Sequence, residues 1–403
     1  MLSEKFSQRW CHLENFSLNT KIHFTKLYGQ EDPDWPLGHP IAEDIEFWES
    51  HVKKLGIHYR LNTTVTSVKR DPESKEFFVV TAQSVLDGVT SMTDFRARNV
   101  ICANGRFGTP NVPKSLSAST PSSVKQHVVQ DLKLDNLQPG AVLVVGSAQS
   151  GTQIADMLSR NGKKTFLCQS KVLGCPRSYR GRDLFYWLEL VDFLFMPTSE
   201  LGKMDPEKAR WLRYGANPMF GSRKPISPFS LHRQGVTLLG HLDAIDDGVG
   251  KIRPDRALCC HISYAGYEDI MNMIVDFAKK KEETDPEWLA AFTGGAPHDL
   301  PEPEWEIVEE LMTTNGPETI DFKENDITNI VWCTGWNTDF SFLEVAEATA
   351  EFDRKGYAPT PPKCESEAVP GLFFCGFPWL SNLNSENITG MSKDQLEILK
   401  RLR

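Results

Sequence analysis

Residues 141–158 read AVLVVGSAQSGTQIADML, and the order of residue types in this stretch decides the fold. Val142, Leu143, Val144 and Val145 form the continuous apolar run of a strand buried on both faces. Gly146, Ser147, Ala148, Gln149, Ser150 and Gly151 follow as a tight turn, and Ile154, Ala155 and Leu158 then recur at helical spacing. Strand, glycine-bearing turn and helix, in that order, make a phosphate site for a dinucleotide. Gly146 lets the chain turn sharply and Gly151 lets helix and strand pack closely. The helix N-terminus offers N–H groups and a partial positive charge to a pyrophosphate. The turn reads G-x-A-x-x-G, so Ala148 carries a Cβ where the usual glycine lets the backbone approach phosphate. An ordinary βα turn without a ligand would share the same strand and helix. About 140 residues come before the stretch, and they hold no second copy of the turn.

A chain of 403 residues is long enough for two or three domains, and 40% hydrophobic with 24% charged residues fits a globular protein. The formal charge of −10 argues against nucleic acid or an anionic membrane as the main partner. The nine cysteines show neither C-x-x-C nor zinc spacing, which fits free thiols in a reducing compartment and no metal site. Residues 1–10, MLSEKFSQRW, lack an apolar signal core. The longest apolar stretch, Leu184 to Met196, is broken by Glu189 and Asp192 and is too short for a bilayer. The expectation is a cytoplasmic protein with no membrane span, acting on a small molecule.

Around the central motif, Ile41, Ile45, Trp48, Val52 and Leu55 predict a helix over 41–57, ended by Gly56, and Ile57, Tyr59 and Leu61 alternate as a short strand. Val65–Val68, Phe77–Ala82 and Phe95–Ala103 read as further strands, a meander. Pro110–Pro139 is Ser- and Pro-rich and reads as a surface linker. The second strand of the nucleotide unit is Thr165–Cys168. Tyr267–Lys281 predicts an amphipathic helix with a basic end, and Thr284–Glu306 a loop. Ile330–Cys333 and Leu372–Cys375 read as strands, and Ser392–Leu402 as a last helix.

Five segments together resemble the flavin-containing monooxygenase-like oxidoreductases, flavoproteins that use FAD and NADPH. Gln8-Arg9-Trp10 with the apolar stretch Phe16–Thr20 is similar to that family's Arg-x-Trp segment. CANGRFGTPNVP, Cys102–Pro113, is similar to its Ala-Thr-Gly turn with a Pro-x-x-Pro exit. VVGSAQSGTQIA resembles its NADPH turn. VWCTGW, Val331–Trp336, resembles its second Ala-Thr-Gly strand end, and GLFFCGFPWL, Gly371–Leu380, the strand that returns to the flavin. The resemblance covers about Ser7 to Leu402. It implies an α/β fold of two Rossmann-like dinucleotide-binding domains, of the three-layer ββα/βαβ flavoprotein type. Residues 1–115 with 325–403 would form an FAD-binding domain with its β-meander, and 140–324 an NADPH-binding domain with a helical insertion.

The sequence departs from that family in one respect. The family opens on a strand, a G-x-G-x-x-G turn and a helix that hold the FAD pyrophosphate, and this chain starts about where such a unit would end. Roughly 40–50 residues are missing by comparison, about one βαβ unit, so the first domain is expected to be incomplete. Three readings stay open: an incomplete gene product, a flavin-free NADP(H)-binding or non-redox descendant, and FAD bound through the remaining contacts or with the missing unit supplied in trans.

The resemblance also marks candidate site residues. Gly146–Gly151 would hold NADPH, and Arg177, Arg180 and Arg182 in CPRSYRGRD would meet its 2′-phosphate. No acid follows the Thr165–Cys168 strand; Gln169, Ser170 and Lys171 do, which favours NADPH over NADH. Arg9, Trp10, Gly105, Thr334, Gly335 and Gly376 would lie at FAD or at the turns beside it, though Arg9 and Trp10 suit core packing equally. Asn19 and Asn104 are amides near the implied flavin face, the only candidates for a catalytic part, and turn residues bonding locally look the same. Phe377, Trp379 and Asn382 would line the substrate cavity or simply pack. His12, His23, His39 and His261 have no metal-ligand spacing.

Overall fold

The computed structural model describes residues 50, 52–214, 226–290, 305–352 and 364–402. Most of the 41–57 helix, and Arg9, Trp10 and Asn19, lie outside them. The first elements are a meander of β1 (Thr63–Arg70), β2 (Phe78–Leu86) and β3 (Val89–Ala97), all antiparallel. The expected strand Phe95–Ala103 is divided, its second part being β4 (Val100–Cys102). Ile57, Tyr59 and Leu61 are exposed and form no strand. The alternation is present, but no neighbouring strand pairs with it among the described residues.

Next come β5 (Thr109–Pro110), α1 (Lys114–Ser119) and β6 (Lys125–Val128). The linker expected over 110–139 is thus structured, and β6 is an edge strand whose sequence KQHV gives no apolar signal. Then follow β7 (Ala141–Val145), α2 (Gln149–Arg160) and β8 (Thr165–Cys168), the last with the bounds its sequence predicts. A short hairpin joins β9 (Ser178–Tyr179) to β10 (Arg182–Asp183) and leads into α3 (Leu184–Leu190). Arg180 and Gly181 both have positive φ, +47° and +69°, as a two-residue hairpin turn requires. β11 (Thr237–Leu239), β12 (Leu242–Asp246), β13 (Val249–Ile252) and the long helix α4 (Arg256–Thr284) follow, with the expected Tyr267–Lys281 helix inside α4. Of the loop expected over 284–306, Pro286–Ala290 is helical, and so is Trp305–Thr313 after it. The chain continues through β14 (Thr319–Asp321), β15 (Ile327–Trp332), β16 (Trp336–Asn337), β17 (Leu372–Phe374) and a helix at Ile388–Arg401.

β11, β8, β7, β15 and β6, in that order, form one all-parallel sheet. Its inner strands β7 and β8 are buried on both faces because both faces are covered. Val142, Val144, Leu167 and Val331 pack under α2 with Ile154, Ala155 and Leu158. Ala141, Leu143, Val145, Phe166 and Trp332 point the other way, onto Leu242, Ile245, Ile252 and Ile320 of the antiparallel β12–β13–β14 sheet. The result is three layers. The Ile330–Cys333 strand, expected within the 325–403 half, pairs here between β7 and β6 instead. An apolar run of that kind reads the same wherever it inserts.

A second core surrounds the parallel pair β4–β17, where Val68 and Phe78 of the meander meet Phe340, Phe352, Phe374 and Phe377. Two chain crossings connect the cores. β5 and β16 pair antiparallel, and the Asn111 amide N–H donates to the Gly335 carbonyl at 2.9 Å. Among the described residues no helix is long and apolar enough to cross a membrane.

Candidate nucleotide site

The turn after β7 lies at the C-terminal edge of the parallel sheet, where ligands of such sheets bind. Gly146 has φ +103°, and a Cβ there would sit 2.5 Å from the Cys333 carbonyl oxygen. A Cβ on Gly151 would overlap the Gly146 carbonyl oxygen. Both positions therefore require glycine, for different reasons: conformation and packing at the first, packing alone at the second. Ala148 has φ −69° and ψ −177°, an ordinary extended conformation, so its Cβ brings no backbone strain. The same residue is the N-cap of α2, and its side chain accepts no hydrogen bond from the first turn. With no acidic residue in that turn, the helix end keeps the donors and partial charge that suit an anion. Gln149 and Ser150 are half-buried there.

Ser147 is fully buried and ties the turn to the next strand. Its Oγ accepts from the Ser170 N–H at 2.9 Å and donates to the Ser170 carbonyl at 3.2 Å. Gly146 N–H donates to the Cys168 carbonyl at 2.9 Å. The ends of β7 and β8 are thus fixed side by side.

The three arginines are placed differently from one another. Arg177 is buried and ion-paired with buried Asp183, which also caps α3 by accepting from Phe185 N–H at 2.8 Å. Arg180 lies over the Tyr179 ring, 5.7 Å from its centroid, and Arg182 over Tyr186 at 5.5 Å. Asp183 escaped the sequence reading; its only signal was an acid closing the run CPRSYRGRD.

At the second core, Gly105 and Gly376 close the C-terminal ends of β4 and β17 with φ +65° and +77°, and a Cβ on Gly105 would lie 3.8 Å from the Gly376 carbonyl. Asn104 is exposed and its Nδ2 donates to the Asp339 carbonyl at 3.1 Å. Thr334 donates from Oγ1 to the Asn111 carbonyl, and Asn111 Nδ2 donates to the Thr334 carbonyl at 3.1 Å. Asn111 is a second residue that sequence reasoning missed, a plain turn amide until the two crossings are brought together. Gly335 has φ +92° with open space beside it. Phe377, Trp379 and Asn382 are all buried. Phe377 is buried among phenylalanines, Trp379 packs on Leu201, and Asn382 donates to the Ser381 Oγ and the Gly390 carbonyl.

A cavity of about 910 Å³ opens beside the crossings, walled by Pro110, Asn111, Pro113, Lys114 and Asn337, and a neighbouring one of about 550 Å³ runs along β6. Neither draws on the Gly146 turn or on Gly105 and Gly376. Among the described residues eight cysteines are free and buried. Burial pushes the thiols of Cys102, Cys175 and Cys259 up to about 12, that of Cys260 to about 11, and the others upward as well. A thiol shuttle needs an accessible thiolate, and these residues do not supply one. No group of them with Asp, Glu or His could hold a metal ion among the described residues.

Fold and turn define a class: an α/β fold with parallel sheets of the Rossmann type found in dinucleotide-binding flavoproteins. Residues 37–180 match the pyridine nucleotide-disulphide oxidoreductase family. The oxidoreductase CzcO of Bacillus subtilis, itself uncharacterized, is 30% identical over 411 residues, covering 99% of this chain and 90% of the relative. Among solved structures, a flavin-containing monooxygenase from Stenotrophomonas maltophilia superposes with a TM-score of 0.52 at 13% identity, over 98% of this chain and 87% of that one. OTEMO in complex with FAD and NADP superposes with a TM-score of 0.50 at 15% identity, over 98% and 76%. The chain belongs to the CzcO oxidoreductases, a family with the flavin-monooxygenase-like FAD/NAD(P)H oxidoreductase fold.

Proposed function

We propose that this chain is a flavin-dependent monooxygenase-like oxidoreductase in which NADPH reduces FAD and oxygen derived from O₂ passes to a small organic substrate. The observation that carries the reading is the turn Gly146–Gly151, with both glycines sterically required and the helix end uncapped. NADPH would lie across this turn with its pyrophosphate at the α2 N-terminus. Arg180 and Arg182, rather than the buried Arg177, would be the arginines within reach of its ribose phosphate. The flavin would rest against the ends of β4 and β17, at Gly105 and Gly376, with Asn104 and Thr334-Gly335 nearby. These residues fit that part of the cofactor, since both strand ends turn through left-handed glycines that leave the backbone accessible. A flavin held at these residues would supply the hydride-accepting and oxygen-transfer chemistry. The protein's own groups bind, orient and exclude water. The eight described cysteines, buried and with thiols raised by that burial, would not serve as electron acceptors. Purified protein supplied with FAD should turn yellow and consume NADPH and O₂. A colourless protein inert toward both would overturn the reading.

A second reading is a flavin-free NADP(H)-binding protein, for which the turn Gly146–Gly151 alone would serve. This reading expects NADPH to raise the melting temperature with no flavin present, and no flavin to be retained.

A further inference from the structure

We infer that the cavity of about 550 Å³ along β6 is a binding site for a small apolar amino acid, with Lys125 for its carboxylate, His127 and Asp131 for its ammonium, and Val112 and Trp332 for its side chain. The cavity draws on neither the Gly146 turn nor Gly105 and Gly376, so this site is independent of the nucleotide reading.

β6 is the last strand of the parallel sheet, and side chains alternate along a strand. Lys125 and His127 therefore reach the cavity from one side of β6, and Gln126 and Val128 from the other. The two sides differ chemically. On the Gln126 side the wall is Val112 and Trp332, both part of the core between the two sheets. The polar groups there are spent on one another. Gln126 Oε1 accepts from Ser117 Oγ at 2.7 Å and from Trp332 Nε1 at 2.9 Å, and its Nε2 donates to the Ser117 carbonyl at 3.0 Å. That side presents apolar surface.

The His127 side is polar and charged. His127 is 6% exposed, and its Nε2 lies 3.2 Å from Asn329 Oδ1. Asn329 Oδ1 also accepts from the Gln138 N–H at 3.0 Å, and its Nδ2 donates to the Gln138 carbonyl at 3.1 Å, which fixes the amide's orientation. Nε2 therefore carries the ring proton. Nδ1, with no hydrogen-bond partner among the described residues, is left as an acceptor at the cavity wall. Burial lowers the imidazole pKa and keeps the ring neutral; of the charges around it Lys125 lowers that pKa further and Asp131 raises it, so one charge of each sign flanks the acceptor. Lys125 uses one of its three donors on the Asn136 carbonyl at 2.6 Å. A simple anion would meet Asp131 here and a simple cation would meet Lys125, each a like-charge contact. A zwitterion satisfies both, and an apolar side chain on it would cross to Val112 and Trp332.

The test is calorimetric titration of the full chain, without flavin or nucleotide. The probes are L-leucine and L-phenylalanine, each beside analogues lacking its ammonium (isocaproate, hydrocinnamate) or its carboxylate (isoamylamine, phenethylamine). At least one amino acid should bind with a Kd below about 10 mM, and at least about fivefold more tightly than either of its analogues. Lys125→Gln should weaken that amino acid about fivefold, the upper range of a solvent-facing charge pair, and leave the amine analogue unchanged. Asp131→Asn should weaken it similarly and leave the carboxylate analogue unchanged. Both positions are exposed, so both variants should fold as the wild type does. Binding of neither amino acid by the wild type would overturn the site. Analogues that bind as well as the amino acid, or an amino-acid affinity unchanged in either variant, would overturn the assignment to a zwitterion.

Discussion

The Cβ that any other residue would bring to position 151 falls on the carbonyl oxygen of Gly146, so α2 starts as close to the end of β7 as two glycines allow. Gly151→Val should therefore cost at least about 3 kcal/mol, a clash in a fully packed turn. It should lower the urea midpoint without changing the slope, and abolish NADPH binding in the fraction that folds. Ala148→Gly is the contrast. Its backbone is ordinary and its side chain caps nothing, so stability should move by less than about 1 kcal/mol.

Arg177 and Asp183 form a buried ion pair beneath the β9–β10 hairpin, and its expected outcome separates structure from binding. Arg177→Ala removes the guanidinium from a buried carboxylate and should destabilise by about 3–5 kcal/mol. Arg182→Ala, at the rim beside Tyr186, should change stability by less than about 1 kcal/mol. Urea unfolding of the two variants checks the difference.

Two buried titratable groups should give stability opposite slopes with pH. Burial raises the Asp394 carboxyl, whose Oδ2 finds no partner while Oδ1 accepts from the Ser381 N–H at 3.2 Å. Its folded pKa lies above its unfolded value, so the stability it contributes is full below about pH 3.9 and is lost as pH rises through the raised value. Burial lowers His127, whose Nε2 lies 3.2 Å from Asn329 Oδ1. Its contribution is present above about pH 6.5 and is lost as pH falls through the lowered value. Asp394→Asn should flatten the decline on the alkaline side and His127→Gln that on the acid side, in urea titrations across that range.

The thiols give a fourth check. With Cys11 replaced by serine, the eight described cysteines, all buried, should resist a thiol reagent in the native protein and react together on unfolding. Rapid labelling of a pair in the folded state, or a disulfide formed on oxidation, would point instead to dithiol chemistry.

The strand, turn and helix around Gly146–Gly151 were legible because each part has a local cause: an apolar run, two glycines and a helical repeat. β8 kept the bounds of its sequence for the same reason. The strands beyond β7 on its other side, β15 and then β6, were not legible as its sheet neighbours, because pairing over long separations leaves no local trace. β15 pairs with β7 across 186 residues, Ile327 opposite Ala141, and β6, which pairs with β15, is a polar edge strand hidden in a stretch that looks like linker. Arg177 read as a phosphate ligand because composition shows a basic loop and does not show which arginine turns inward to Asp183. Trp379 and Asn382 follow a strand end, as cavity residues do, yet fold back into a packed turn.

The central claim is most directly tested by incubating the protein with excess FAD, removing free flavin by gel filtration, and adding NADPH anaerobically while recording the visible spectrum. The account predicts retained flavin absorbance that bleaches on NADPH addition and returns with O₂. Protein that emerges colourless, while still binding NADPH, would contradict it.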